Sequence, residues 1–142
     1  MLDPFTLATG LAGLLSLTIE LTKIIDEYTG SVNNAPNEAQ ELFKELSALC
    51  HVLERLIPFL VSENGKSNSF DNTCVLFFAS NACQNKLQSA LRKLSKMREG
   101  SEWFRNLRRI KWPFDKQEYL DTINTVRRCM QTFEFSLTIE GW

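Results

Sequence analysis

The chain has 142 residues, of which 44% are hydrophobic and 23% charged, with a formal net charge of −1. That composition suits one domain around one core, large enough to fold without disulfide or metal staples. The net charge hides an asymmetry. Residues 1–85 hold four basic and ten acidic side chains and residues 86–142 twelve and seven, so the positive surface lies in the C-terminal half.

The chain opens on an apolar stretch. Between Asp3 and Glu20 no side chain ionises, and Phe5, Leu7, Leu11, Leu14, Leu15, Leu17 and Ile19 fill it. A secretory signal needs a basic start, whereas no Lys or Arg precedes Lys23. As a helix, residues 4–19 span about 24 Å, short of the hydrocarbon core of about 30 Å. The segment therefore reads as a helix buried in a core or held for a membrane, rather than a permanent span. Asp3 and Pro4 make a capping and first-turn pair, so the first helix is predicted over about 3–27, ended by Thr29, Gly30 and Ser31. Ala8, Thr9, Gly10, Ala12 and Gly13 give it small side chains at spacings of three and four, a surface for close helix approach in a membrane or in a soluble bundle. Each helical glycine costs about 1 kcal/mol relative to alanine.

After Ala35-Pro36, a second helix carries Ala39, Leu42, Phe43, Leu46, Leu49, Cys50, Leu53, Leu56, Ile57 and Leu60 on one face. Pro58 should bend it or end it early. Glu63 to Ser69 supplies a polar turn, and Asp71 caps a third helix predicted to run to about Met97. Its opening run, Cys74 to Ala79, could alone pass for a strand. The spacing of Ala82, Cys83, Leu87, Ala90, Leu91, Leu94 and Met97 makes it helical.

Gly100 and Ser101 break the chain. A short basic element over about 101–111 follows, with Trp103, Phe104, Leu107 and Ile110 on one side and Arg105, Arg108, Arg109 and Lys111 around the rest, and Pro113 stops it. Asp115 and Glu118 form a capping box for a last helix that buries Tyr119, Leu120, Ile123, Val126, Met130, Phe133 and Leu137. The fold is therefore predicted as one all-α domain over 1–142: an up-and-down four-helix bundle with an additional short helix before the last long one.

Arg105, Arg108, Arg109 and Lys111, beside Trp103 and Trp112, would draw anionic headgroups with about 1 kcal/mol per basic residue, the tryptophans sitting at the interface. The alternative is a solvated charged face with the tryptophans in the core. No DNA- or RNA-reading pattern accompanies the cluster and the chain is slightly acidic, so no nucleic acid is expected as a partner. Cys50, Cys74, Cys83 and Cys129 form no CxxC pair and read as reduced core thiols of a cytosolic protein. His51, the single histidine, adjoins Cys50 on a helix, where neighbours diverge by about 100° and make a poor metal pair. With no P-loop, GxSxG or HExxH, no enzyme activity, catalytic residue, metal or cofactor is expected.

The Asp3-Pro4-Phe5 opening, Ala35-Pro36, Glu45-Leu46-Ser47-Ala48-Leu49 and Arg108-Arg109-Ile110-Lys111-Trp112-Pro113-Phe114 resemble the N-terminal domain of fungal STAND, or NOD-like, receptors, grouped with the HeLo-like domains. The resemblance covers nearly the whole chain. It implies a cell-death or heterokaryon-incompatibility effector, the isolated domain of a longer receptor or a short stand-alone member. Such a domain is cytoplasmic at rest, works with a downstream sensor region or an amyloid-forming partner, and self-associates on activation. Its first helix, here Phe5, Leu7, Leu11, Leu14, Leu15, Leu17 and Ile19, then enters the plasma membrane among anionic lipids. The alternative is an adapter whose first helix stays buried while another face recruits a protein.

Overall fold

The computed structural model describes residues 4–32, 35–62, 73–100, 103, 105–106 and 110–140. Four long helices, α1 (Pro4–Ser31), α2 (Asn37–Val61), α3 (Thr73–Glu99) and α4 (Lys116–Glu140), make an all-α bundle, and the described residues include no strand. The predicted caps Asp3 and Asp71 and the turn Glu63 to Ser69 lie outside the described residues.

α1 runs one turn beyond the predicted end. Tyr28 extends the stripe of Leu21, Ile24 and Ile25 and is fully buried, and the Val32 amide still donates to the Tyr28 carbonyl at 2.9 Å. Burial of Tyr28 outweighs the helix-breaking tendency of Gly30, which sits on the exposed side. α2 is entered from Pro36 in extended conformation, with φ −66° and ψ 152°. It passes Pro58 by only one turn, and the Ser62 amide closes it on the Pro58 and Phe59 carbonyls at 3.0 and 3.3 Å. Its core face is Ala39, Leu42, Leu46, Leu49, Val52, Leu53, Leu56 and Leu60; Phe43, Cys50 and Ile57 flank that face half-buried.

The apolar start of α3 is helical. Of residues 74–80, Leu76 and Ser80 are buried, and the stripe continues through Cys83, Leu87, Ala90 and Leu94 at steps of three and four. α4 begins with the predicted capping box: the Glu118 amide donates to Asp115 Oδ1 at 2.8 Å and the Asp115 amide to Glu118 Oε1 at 3.1 Å. Tyr119, Ile123, Val126, Met130 and Phe133 are buried as predicted, while Leu120 and Leu137 are half-buried.

The helices alternate in direction. Arg98 meets Glu27 at 3.7 Å, so α3 runs parallel to α1, and Glu41 and Glu45 meet Tyr119 and Arg127, so α4 runs parallel to α2. α1 packs against α2 and α3, and α4 against the same two, which places α1 and α4 across one diagonal and α2 and α3 across the other. One end of the bundle, the base, gathers the C-termini of α1 and α3 with the N-termini of α2 and α4. The opposite end, the apex, gathers Phe5, Val61, the first turns of α3 and the last turns of α4.

Candidate functional site

The first half of α1 is amphipathic in an unusual sense: a large apolar face is opposed by a small uncharged one, and charge begins only at Glu20. Leu7, Leu11, Leu14 and Leu17 are buried and Leu15 is half-buried, whereas Phe5 and Ile19 are exposed. Of the predicted membrane-active residues, the bundle thus uses most as core and leaves two outside. Thr9, Gly10, Ala12, Gly13 and Ser16 face outward, and a Cβ added at either glycine meets nothing within 4 Å. Close helix packing inside the bundle is therefore not what these glycines serve. α1 is long and apolar enough to cross a membrane, a criterion that core helices of soluble bundles also meet.

At the base, the segment before α4 is folded onto the end of α1. Trp103 is buried and its Nε1–H donates to Glu27 Oε1 at 3.3 Å, while the Tyr28 hydroxyl donates to the Ile110 carbonyl at 3.0 Å. The Trp112 ring lies between Tyr28 and Phe114, with centroids 5.4 and 5.0 Å away, and Lys93 Nζ stands 5.8 Å from the Phe114 centroid. In this structure the tryptophans pack into the base, Trp103 against Glu27 and Trp112 between Tyr28 and Phe114. Trp103 and Arg105 are helical but residues 110–115 are not, so the short element ends before Lys111. Pro113 disfavours helix at Trp112, and Tyr28 takes the Ile110 carbonyl. Arg105 and Lys111 are exposed; Arg108 and Arg109 lie outside the described residues.

The two predicted contact surfaces are consequently far apart. The exposed start of α1 stands at the apex, whereas Lys111 stands beside Trp112 at the base. α1 alone is about 42 Å long by its helical rise. The structure instead shows an apolar apex that sequence reasoning missed. Of the seven large apolar side chains that are strongly exposed among the described residues, six are there: Phe5, Val61, Val75, Phe77, Phe78 and Phe135. Phe78 is 70% exposed, and Phe77 meets it edge-on at 5.9 Å. The signal in the sequence was apolar residues off the helical stripe, at 75, 77 and 78 around Leu76 and at 135 between Phe133 and Leu137.

The sequence model of the pigment biosynthesis cluster protein PigL N-terminal family matches residues 2–140, a span that holds all four helices. The chain belongs to that family. The PigL N-terminal family is fungus-associated. No curated protein and no solved structure matches the chain.

Within this PigL N-terminal domain the shifts of Tyr119, Cys83 and Cys129 follow from burial and their hydrogen bonds. Burial and the hydrogen bond to Glu41 push the Tyr119 hydroxyl up. Cys129 donates to the Ala79 carbonyl at 3.0 Å and accepts from Cys83, which lowers Cys129 and, with burial, raises Cys83. Both thiols are buried between α3 and α4, but Cys74 is exposed on the first turn of α3 and Cys50 only half-buried. The expectation of four core thiols therefore holds for Cys83 and Cys129 and fails for Cys74, which falls off the buried stripe. His51 is exposed, 3.9 Å from Glu54.

Proposed function

We propose that this domain is a non-catalytic effector of a fungal cell-death or incompatibility response, cytoplasmic at rest, that self-associates and perturbs the plasma membrane through α1. A downstream sensor region or amyloid-forming partner would supply the trigger, as the HeLo-like resemblance implies. The observation that supports the reading is the make-up of α1: its outward face is small and uncharged from Thr6 to Ser16 and its inward face is apolar, so that half of the helix carries no group a bilayer would reject.

Energetics decide what a trigger must do. Burying one large apolar side chain is worth about 1.5–3 kcal/mol, so Leu7, Leu11, Leu14, Leu17, Leu21, Ile24, Ile25 and Tyr28 together contribute on the order of 10–20 kcal/mol. That rivals the whole stability of a typical domain, about 5–15 kcal/mol. Withdrawal of α1 is therefore coupled to oligomerisation or to the membrane itself, never a free excursion.

The test is dye release from vesicles containing phosphatidylserine, using forced oligomers. Ala12→Glu with Ser16→Glu places two charges on the exposed face, leaves the core intact, and costs about 2.5–3.5 kcal/mol per charge once inside a bilayer. The wild type is expected to leak and the folded double variant not to. A wild-type oligomer that never leaks would instead favour the adapter reading, with α1 kept in its seat. Leakage by the double variant at the wild-type rate would remove α1 as the agent.

A further inference from the structure

The uncharged stretches of the sequence are brought to one end of the bundle. α1 from Phe5 to Ile19 and α3 from Thr73 to Asn85 carry no charge, and because these helices run parallel and adjacent their uncharged halves lie side by side. The last turn of α2, from Leu56, is also uncharged, and α4 from Cys129 to Thr138 holds only Glu134. Among the described residues the charge-poor end is the apex that bears Phe5, Val75, Phe77, Phe78 and Phe135, with Glu134 beside Phe135 and Glu140 closing α4 as its acidic groups.

Below Glu134 on the α3–α4 side, the next charges are basic. Lys86, Arg127 and Arg128 border an open groove there with Thr125, Gln131 and Asp121. Arg127 is engaged with Glu45 at 3.1 Å, whereas Lys86 and Arg128 have no ion-pair partner among the described residues. Lys86 follows Phe78 by eight residues and Arg128 precedes Phe135 by seven, which sets the cations about 10–12 Å below the phenylalanines along the helix axes. Side chains anchored at a bilayer surface sink about 5–10 Å into the boundary between headgroups and acyl chains, and the long Lys and Arg stems reach back toward the phosphates. The spacing of apolar tip and basic belt thus matches the spacing of acyl boundary and headgroup phosphate.

We propose that the folded bundle docks apex-first on an anionic lipid bilayer, with Phe78 and Phe135 in the acyl boundary and Lys86 and Arg128 on headgroup phosphates, before α1 moves. The pose turns the basic residues of the base, Arg105 and Lys111, away from the bilayer. It rests on the membrane reading above, but needs no release of α1.

Monomeric protein is to be sedimented with vesicles of phosphatidylcholine, with and without phosphatidylserine. Phe78→Ser and Phe135→Ser alter exposed side chains, so the thermal transition should be unchanged, which is checked first. Each is expected to weaken binding about tenfold or more. Lys86→Gln with Arg128→Gln is expected to weaken it about 30-fold on phosphatidylserine vesicles and not on phosphatidylcholine alone. Arg105→Gln with Lys111→Gln should bind as the wild type does. Apex variants that bind like the wild type, or base variants that lose binding, would overturn the pose. So would a wild-type dimer dispersed by Phe78→Ser in a protein without vesicle affinity, since the apex would then be a protein contact. Wild-type binding and leakage by the apex variants defeat the pose and leave the effector reading standing; no binding and no leakage by any form defeats both.

Discussion

Gly10 and Gly13 sit on the outward face of α1 with open space where a Cβ would go. Nothing in the resting bundle requires them, so their effect is that of helical glycine alone. Gly10→Ala with Gly13→Ala is expected to stabilise the domain by about 1 kcal/mol per site. For a domain of this size that is a rise of about 2–4 °C in Tm per kcal/mol, read by calorimetry. An unchanged or lower Tm would mean that the outward face is covered in solution. The sequence placed small residues at helical spacing but could not tell which side they faced. The side became clear only once Leu7, Leu11 and Leu14 were seen to take the core.

At the scale of elements, the start of α4 joins a cap to an ion pair. Asp115 and Glu118 satisfy each other's amides, and Lys93 of α3 binds the Glu118 carboxylate. Asp115→Ala is expected to cost about 1 kcal/mol, measured by denaturant unfolding. Lys93, then the Asp115 amide, holds the Glu118 carboxyl below its ordinary value of 4.5. A carboxyl lowered in the folded state contributes stability that is fully present above the unfolded value and is lost as pH falls through the folded one. Glu118→Gln should therefore flatten the loss of Tm on acidification below that ordinary value, and parallel acid profiles for variant and wild type would contradict it. These local features were legible because they depend on residues three or four apart: the capping box at Asp115, the stripe of α2, the helical start of α3. Ends were less legible where a distant partner decides them. α1 continues to Ser31 because Tyr28 finds Trp112 and the Ile110 carbonyl, which lie more than eighty positions away in the chain.

For the whole molecule, what mattered to the candidate site was which helices are neighbours. Direction could be read from four helices and their connections, but the adjacency of α1 with α3 could not. That adjacency is what gathers the uncharged halves of both at the apex and sends the basic segment to the base. The aromatic and basic residues around Trp112 looked like a contact surface in one dimension; in three, the rings face Tyr28 and Phe114. Polar groups tie α1 to other elements at Thr22, which meets Cys50 of α2, and at Glu27 and Tyr28, all in its base half. Amide hydrogen exchange is therefore expected to quicken along α1 from Tyr28 toward Phe5, read by mass spectrometry of overlapping peptides. Uniform protection along the helix would show that packing alone sets its hold.

A rod pinned at one end turns rather than travels. With its pivot at Tyr28, α1 is a lever about 35 Å long whose far end is Phe5, and once the packing of Leu7, Leu11 and Leu14 gives way, a rotation of a few degrees at the base is magnified into a displacement of several ångströms at that end. The bundle thus places its largest leverage at the end that carries its exposed phenylalanines.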